Sequence, residues 1–331
     1  QRNSLVNYSF YLGATSENIE EIRKADPRTT CGIKVFMGSS TGNMLVDHIP
    51  TLERIFAEAP LLIATHCEDT PLINKNLAAF RQRYGEAIPP EAHPLIRSRE
   101  ACFKSSSLAA TLARKYKSRL HILHLSTAEE TKLPDSGIRT QKQITGEVCV
   151  HHLWFNDQAY TSKGNLVKWN PAIKTEQDRL SLLKAVKEGR IDIIATDHAP
   201  HLLSEKNGPY TQAASGGPMI QHSLTVMLEL MEKGYFSLAE IVDRMCHAPA
   251  DLFHISQRGY LRKGYKADIC IFKKSPWTVT KDNLLYRCGW SPLENTSFTY
   301  QVQLTLVNGH KVYEKGTFYE DRKGELLLFE R

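Results

Sequence analysis

The sequence predicts an α/β fold built on a parallel sheet, and three observations carry that prediction. Short apolar, β-rich runs alternate with helical patterns between residues 5 and 197. Those runs are nearly continuous in apolar residues, as strands buried on both faces are, instead of alternating between inward and outward positions. Beyond residue 202 the pattern changes, and from about residue 263 it becomes short strands and turns. Strand then helix, repeated, leaves two architectures open, a doubly wound sheet and a (β/α)₈ barrel.

The six strand candidates are "LVNYSFYLG" (5–13), "GIKVFMG" (32–38), "PLLIATH" (60–66), "RLHILHLS" (119–126), "GEVCVHHL" (146–153) and "IDIIATD" (191–197). Helices are expected over "PTLERIFAEA" after the second run and "SSSLAATLARKYK" before the fourth. Two capping boxes are expected, Ser126 with Glu129 and Thr175 with Asp178, where a side-chain oxygen satisfies helical N–H groups that have no partner. A Gly-, Pro- and Ser-rich loop, "SEKNGPYTQAASGGP", leads into helices at about 219–233 and 237–246. From "KGYKADICIF" onward the chain reads as a small β appendage, with a hairpin at Asn308-Gly309.

At 331 residues the chain is long enough for one large domain with an appendage. An apolar fraction of 41% with 24% charged residues excludes disordered and fibrous classes. No apolar run is long enough for a membrane span, and no secretory pattern opens the chain. Seven scattered cysteines, never spaced C-x-x-C, point to a reducing, cytoplasmic setting. A formal charge of +6 without basic runs favours a small anionic substrate and gives little support to nucleic-acid binding.

The polar residues at the strand ends are the informative ones. Lys34 interrupts an apolar strand, His66 ends one, His124 lies near the end of another, and Asp197 closes the last. Parallel α/β folds gather their active sites at the C-terminal ends of strands, so four ligand-type side chains there would point at one place. Each has a plainer reading. His121 shares a strand face with His124 and is an alternative to it. His151 and His152 are neighbours, and in a strand they would point to opposite faces. Lys34 would reach solvent by snorkelling, and Asp197 would cap a following helix. As a set, imidazoles and carboxylates on converging strand ends suit zinc or a similar divalent ion.

With those residues in place, the sequence resembles the amidohydrolase superfamily and, within it, the class I dihydroorotase family. "IIATDHAPH" resembles that family's last-strand signature, and "GIKVFMGSSTGNML" the strand and loop carrying a lysine carboxylated by CO₂. "LLIATHCED" and "LHILHLST" resemble the strands that each supply one histidine, "KWNPAIKTEQDR" the family's N-P-P-L-R segment, and "GYKADICIF" the return into a β-sandwich. The resemblance implies a (β/α)₈ metal-dependent hydrolase barrel over residues 1–260 and a C-terminal β segment of a composite sandwich over 261–331. It implies Lys34, His66, His124 and Asp197 as metal ligands, two Zn²⁺ bridged by carboxylated Lys34, and Asp197 as general acid and base. Asn170, His201, and the backbone near Ser215 and Gly216 would contact substrate. The implied reaction is reversible hydrolysis of dihydroorotate to N-carbamoyl-aspartate in pyrimidine biosynthesis, by a homodimer. Hydantoinases and allantoinases act on rings without the carboxylate and generally lack the final histidine of HAPH, so His201 favours dihydroorotate.

One departure stands at the front: no H-x-H-x-R, the family's first-strand ligand and substrate motif, occurs near the N-terminus. Counted back from Asp197 on strand eight, the six runs are strands three to eight, and the expectation is an N-terminally truncated chain, inactive as written. A second reading of another class is a non-catalytic, dihydroorotase-like partner of a transcarbamoylase. The retention of Lys34, His66, His124, Asp197 and His201 favours the enzyme.

Overall fold

A computed structural model describes residues 3–38 and 44–331. Six strands, β1 (Phe10–Gly13), β2 (Thr30–Phe36), β3 (Ile63–His66), β4 (Leu120–Ile122), β5 (Ile144–Cys149) and β6 (Ile193–Ala195), form one parallel sheet in sequence order. Each neighbouring pair is parallel, so a helical or looped crossover covers the sheet between every pair. Strictly sequential order, without the reversal of a doubly wound sheet, makes this the arc of a TIM-type barrel. Among the described residues no ladder joins β6 back to β1.

The helices of the crossovers are α1 (Ile19–Arg23), α2 (Ile49–Glu58), α3 (Thr70–Tyr84), α4 (His93–Ile96), α5 (Arg99–Tyr116), α6 (Val150–Trp154), α7 (Ala159–Lys163) and α8 (Glu176–Lys187). Beyond β6 come α9 (Leu203–Lys206), α10 (Ser223–Glu232), α11 (Leu238–Val242) and α12 (Ala248–Phe253). The Thr175–Asp178 capping box opens α8 as expected. The other expected box is shifted by one residue. Glu130, not Glu129, accepts from the backbone N–H groups of Ser126 and Thr127, because Glu129 is turned out to Arg99, and only a single 3₁₀ turn comes next.

The expected strands are corrected at their ends, the fourth and sixth shortening to Leu120–Ile122 and Ile193–Ala195. The first strand begins at Phe10, not residue 5; residues before it run beside the C-terminal tail, where Tyr8 N–H donates to the Glu325 carbonyl at 3.1 Å. The fifth ends at Cys149, and residues 150–154 are helical.

A second, antiparallel sheet completes the chain, in the order β10 (Thr317–Phe318), β9 (His310–Glu314), β8 (Ser297–Val307) and β7 (Ile269–Thr278). Asn308 and Gly309 both have positive φ, 53° and 80°, as the tight β8–β9 hairpin requires. This sheet is not a loosely attached tail. Val279, Leu293 and Phe298 belong to the same buried cluster as Ile33, Ile63 and Ile122 of the barrel strands. A cleft of about 540 Å³ opens along β1, lined by Tyr8, Phe10, Tyr11 and Leu326, and it contains none of Lys34, His66, His124 and Asp197.

Candidate metal centre

The parallel register sets the strand ends side by side. Phe36 of β2 pairs with His66, the last residue of β3, and Lys34 pairs with Ala64. His124 lies two residues beyond β4, and Asp197 two beyond β6. Both sit at positive φ, 39° and 42°, a region that costs a non-glycine residue energy and recurs where surrounding structure forces a side chain into a site. The bends re-aim both side chains at the same end of the sheet.

There, His66 Nδ1 and His124 Nε2 stand 3.0 Å apart, with both rings buried. Lys34 is partly buried with its ammonium 4.3 Å from the Phe36 ring centroid, so the snorkelling alternative does not hold. Burial pulls its pKa down to about 8 against the opposing pull of Asp197 and Glu147. A lysine of this kind holds some of its amine neutral near physiological pH, the form that reacts with CO₂. Asp197 is an exposed residue whose carboxyl is nonetheless partly desolvated by surrounding protein atoms. That desolvation, with the charge of Glu147, raises its carboxyl to about 6, while Lys34 acts in the opposite sense. A carboxyl in that range takes up and returns a proton near neutral pH.

Three charged residues of this centre were missed from the sequence. Glu68, fully buried, accepts from His66 Nε2 at 3.0 Å and pairs with Arg97, which follows α4. Burial acts to raise the Glu68 carboxyl, but Arg97 and His66 outweigh it and hold it at about 2. A carboxylate on the far nitrogen of an imidazole fixes which nitrogen is free to bind a metal. The signal was present in "HCED", where the residue two beyond a strand-end histidine shares its face. Glu147 is the third; it accepts from His121 Nε2 at 3.1 Å, and its charge is felt by Lys34 and Asp197. His121, the alternative to His124, is therefore engaged by Glu147 and Thr145.

The substrate-contact candidates form a second group. His201 donates from Nε2 to the Ser215 carbonyl at 3.1 Å, and its Nδ1 lies 3.8 Å from Glu205. Gly216, at φ 127°, lies so close to Ala199 that a Cβ there would sit 2.6 Å from the Ala199 carbonyl oxygen. Gly216 N–H in turn donates to the Lys168 carbonyl at 2.9 Å, two residues before Asn170. Asn170 Oδ1 is buried with no hydrogen-bond partner among the described residues. Arg97 links the two groups: it pairs with Glu68, and its charge is felt by His93, Lys168 and Tyr210.

One strand-based reading needs correction. His151 and His152 lie in α6, not in a strand, so their rings are not on opposite faces but 4.3 Å apart, centroid to centroid. His198, without a sequence-level role, accepts through Nδ1 from Met219 N–H at 3.1 Å and stacks on Tyr286.

The residues present fit a divalent cation. Two nitrogens sharing one tetrahedral zinc lie about 3.3 Å apart, close to the 3.0 Å between His66 and His124. His66 has its outer carboxylate, and His124 Nδ1 is buried without a partner among the described residues.

A family model described as the amidohydrolase family matches residues 20–312. A dihydroorotase of Pyrococcus furiosus is 31% identical over 297 residues, covering 89% of this chain and 64% of its own length. One from Anaplasma phagocytophilum is 29% identical, covering 94% and 68%. The chain thus spans about two thirds of the relatives it matches. Among solved structures, an L-hydantoinase from Arthrobacter aurescens superposes with a TM-score of 0.89 over 98% of this chain and 74% of its own, at 24% identity. A dihydropyrimidinase from Brevibacillus agri gives 0.83 over 99% and 75%, at 21% identity. At those identities the likeness is one of fold.

Proposed function

The chain belongs to the amidohydrolase family, and from that premise we propose that it acts as a dihydroorotase, opening and closing the cyclic amide of dihydroorotate. The observation that carries this reading is the convergence of His66 and His124, 3.0 Å apart, with Lys34 and Asp197 electrostatically coupled beside them. Relatives named dihydroorotase at 29–31% identity support the choice of substrate.

In this reading Lys34, as its carbamate, His66, His124 and Asp197 hold two zinc ions in residues 1–260, with 261–331 as the β segment beside the barrel. Ions held by these residues would supply Lewis-acid polarisation of the ring carbonyl and a lowered pKa for the attacking water. Asp197 accepts the proton of that water on a carboxylate oxygen and delivers it to the departing ring nitrogen; ring closure reverses both transfers. Asn170 Oδ1, with no donor among the described residues, is set to accept from a ring N–H. His201, with the Ser215–Gly216 backbone, faces the substrate carboxylate, and a charge-assisted hydrogen bond from the imidazole discriminates against hydantoins. A homodimer and a cytoplasmic location accompany the reading; the seven cysteines are all free thiols.

The test is steady-state kinetics of the full-length protein on dihydroorotate and on hydantoin. Asp197→Asn should lower kcat by about 10³-fold or more, and His201→Ala should raise KM for dihydroorotate more than it lowers kcat. Lys34→Ala should be inactive and regain activity with short carboxylic acids, which replace the bridging oxygens. Hydrolysis of hydantoin with none of dihydroorotate would sink the substrate assignment, and an active Lys34→Ala enzyme the metal bridge.

A further inference from the structure

Among the described residues, buried side chains without hydrogen-bond partners lie beside the Lys34, His66, His124 and Asp197 centre. His151 is fully buried, yet neither of its ring nitrogens has a hydrogen-bond partner among the described residues. A buried polar group without a partner costs free energy and calls for an explanation, a bound ion being one. His152, 2% exposed, uses Nε2 to donate to the Pro171 carbonyl at 3.1 Å and leaves Nδ1 buried and unpartnered among the described residues. A ring N–H held by a backbone carbonyl, with the opposite lone pair free, is the arrangement of a metal-ligating histidine. Cys149, fully buried, completes the set: one ligand atom from each of Cys149, His151 and His152 lies within 4.8 Å of the others.

We propose that Cys149, His151 and His152 form a further cation site, separate from the Lys34, His66, His124 and Asp197 ligands, for a thiophilic ion of the zinc class. One thiolate, two imidazoles and an open fourth position make a recognised zinc donor set. Around a tetrahedral zinc the sulfur and nitrogen atoms lie about 3.4–3.6 Å apart, so contraction from the observed spacing by roughly 1.5 Å or less closes the site; side-chain torsions supply that. Ion binding deprotonates the Cys149 thiol, forming the metal–sulfur bond and releasing one proton to solvent, while both imidazoles bind neutral. Because His152 also holds Pro171, the ion ties the end of β5 to the segment that carries Asn170. His151 stacks on Trp169, 4.4 Å between centroids and 9° from parallel, so its ring is already fixed in direction.

The full-length protein, stripped with a chelator and titrated with cobalt(II), gives the test. The catalytic ligands are nitrogen and oxygen only, so thiolate-to-cobalt charge transfer in the near ultraviolet reports this site alone. The expected result is a band that saturates at one equivalent per chain with release of one proton. It should be lost in Cys149→Ser and retained in Cys67→Ser. No band, or a band that survives in Cys149→Ser, overturns the site. Should Cys149→Ser fail to fold, zinc-edge X-ray absorption of the unaltered protein decides: a sulfur neighbour at about 2.3 Å supports the site, and its absence overturns it. Dihydroorotate hydrolysis without a band condemns this site only, and a band without hydrolysis leaves it standing while the dihydroorotase reading fails.

Discussion

A single ammonium group ties together the segments that carry Ser215, Gly216 and Asn170. Lys206, 1% exposed, donates to the carbonyls of Ala214 at 2.7 Å, Gly216 at 2.7 Å and Lys168 at 3.2 Å, which exhausts its three hydrogens. Those carbonyls belong to the loop that carries Ser215 and to the segment that carries Asn170, so one side chain sets their separation. Lys206→Met keeps most of the apolar stem and strands the three acceptors, and it should cost about 2–3 kcal/mol. Urea unfolding checks the cost. Limited proteolysis should show new cleavage within 207–217, and an unchanged digest would mean that the carbonyls are held by other means. None of this was legible in the sequence, where "SEKNGPYTQAASGGP" reads as an exposed loop and its lysine as a solvated charge. Lys34, His66, His124 and Asp197 stood out in the sequence for the opposite reason: a polar residue within or just after an apolar strand is costly unless it is partnered there. Arg97 escaped because its partner Glu68 is 29 residues away and on another element, and no local pattern pairs them.

At the scale of elements, the sequence resolves what depends on near neighbours and misreads what depends on context. The Thr175–Asp178 box was legible because both halves lie within one turn. Its second function was not: Asp178, 1% exposed, also accepts from Ala128 N–H at 2.9 Å and from Arg99 at 2.9 Å, joining α8 to the β4–β5 crossover and to α5. Thr175→Ala, which removes a cap alone, should cost about 1 kcal/mol. Asp178→Ala leaves a buried N–H and an arginine unpartnered as well, and should cost about 3 kcal/mol. Urea midpoints at constant slope measure the difference, and equal losses would show that Asp178 acts only as a cap. The β5–α6 junction failed in the other direction. "GEVCVHHL" is one short apolar run, and periodicity cannot separate a strand end from a first helical turn within it. The consequence reached the chemistry, since the helix is what brings His151 and His152 to the same side.

At the scale of the whole molecule, the barrel arc and the antiparallel sheet share one core, and His222 sits on their seam. It ends the 3₁₀ turn before α10, is fully buried, and packs its ring against Trp277 of β7 at 5.9 Å and Phe298 of β8 at 6.3 Å. Its Nδ1 meets the Tyr286 hydroxyl at 3.0 Å, and Nε2 has no partner among the described residues. The titratable neighbours on this face are Tyr286 and, stacked on the other side of that ring, His198, and neither stabilises a cation. Burial therefore pushes the His222 pKa down from 6.5 to about 4. Between those two values the unfolded chain binds a proton that the folded chain refuses, so stability rises with pH across the window and falls as pH drops from 6.5 towards 4. At about 1.4 kcal/mol per pH unit, the full loss attributable to this one ring is roughly 3 kcal/mol. Other buried histidines add to the total, so the informative quantity is the difference between the protein and His222→Gln, which carries no titrating ring. Their unfolding free energies, measured by urea denaturation, should converge by about 3 kcal/mol between pH 7 and pH 4. Curves that stay parallel over that range would show that the barrel and the β sheet are not joined through a neutral histidine.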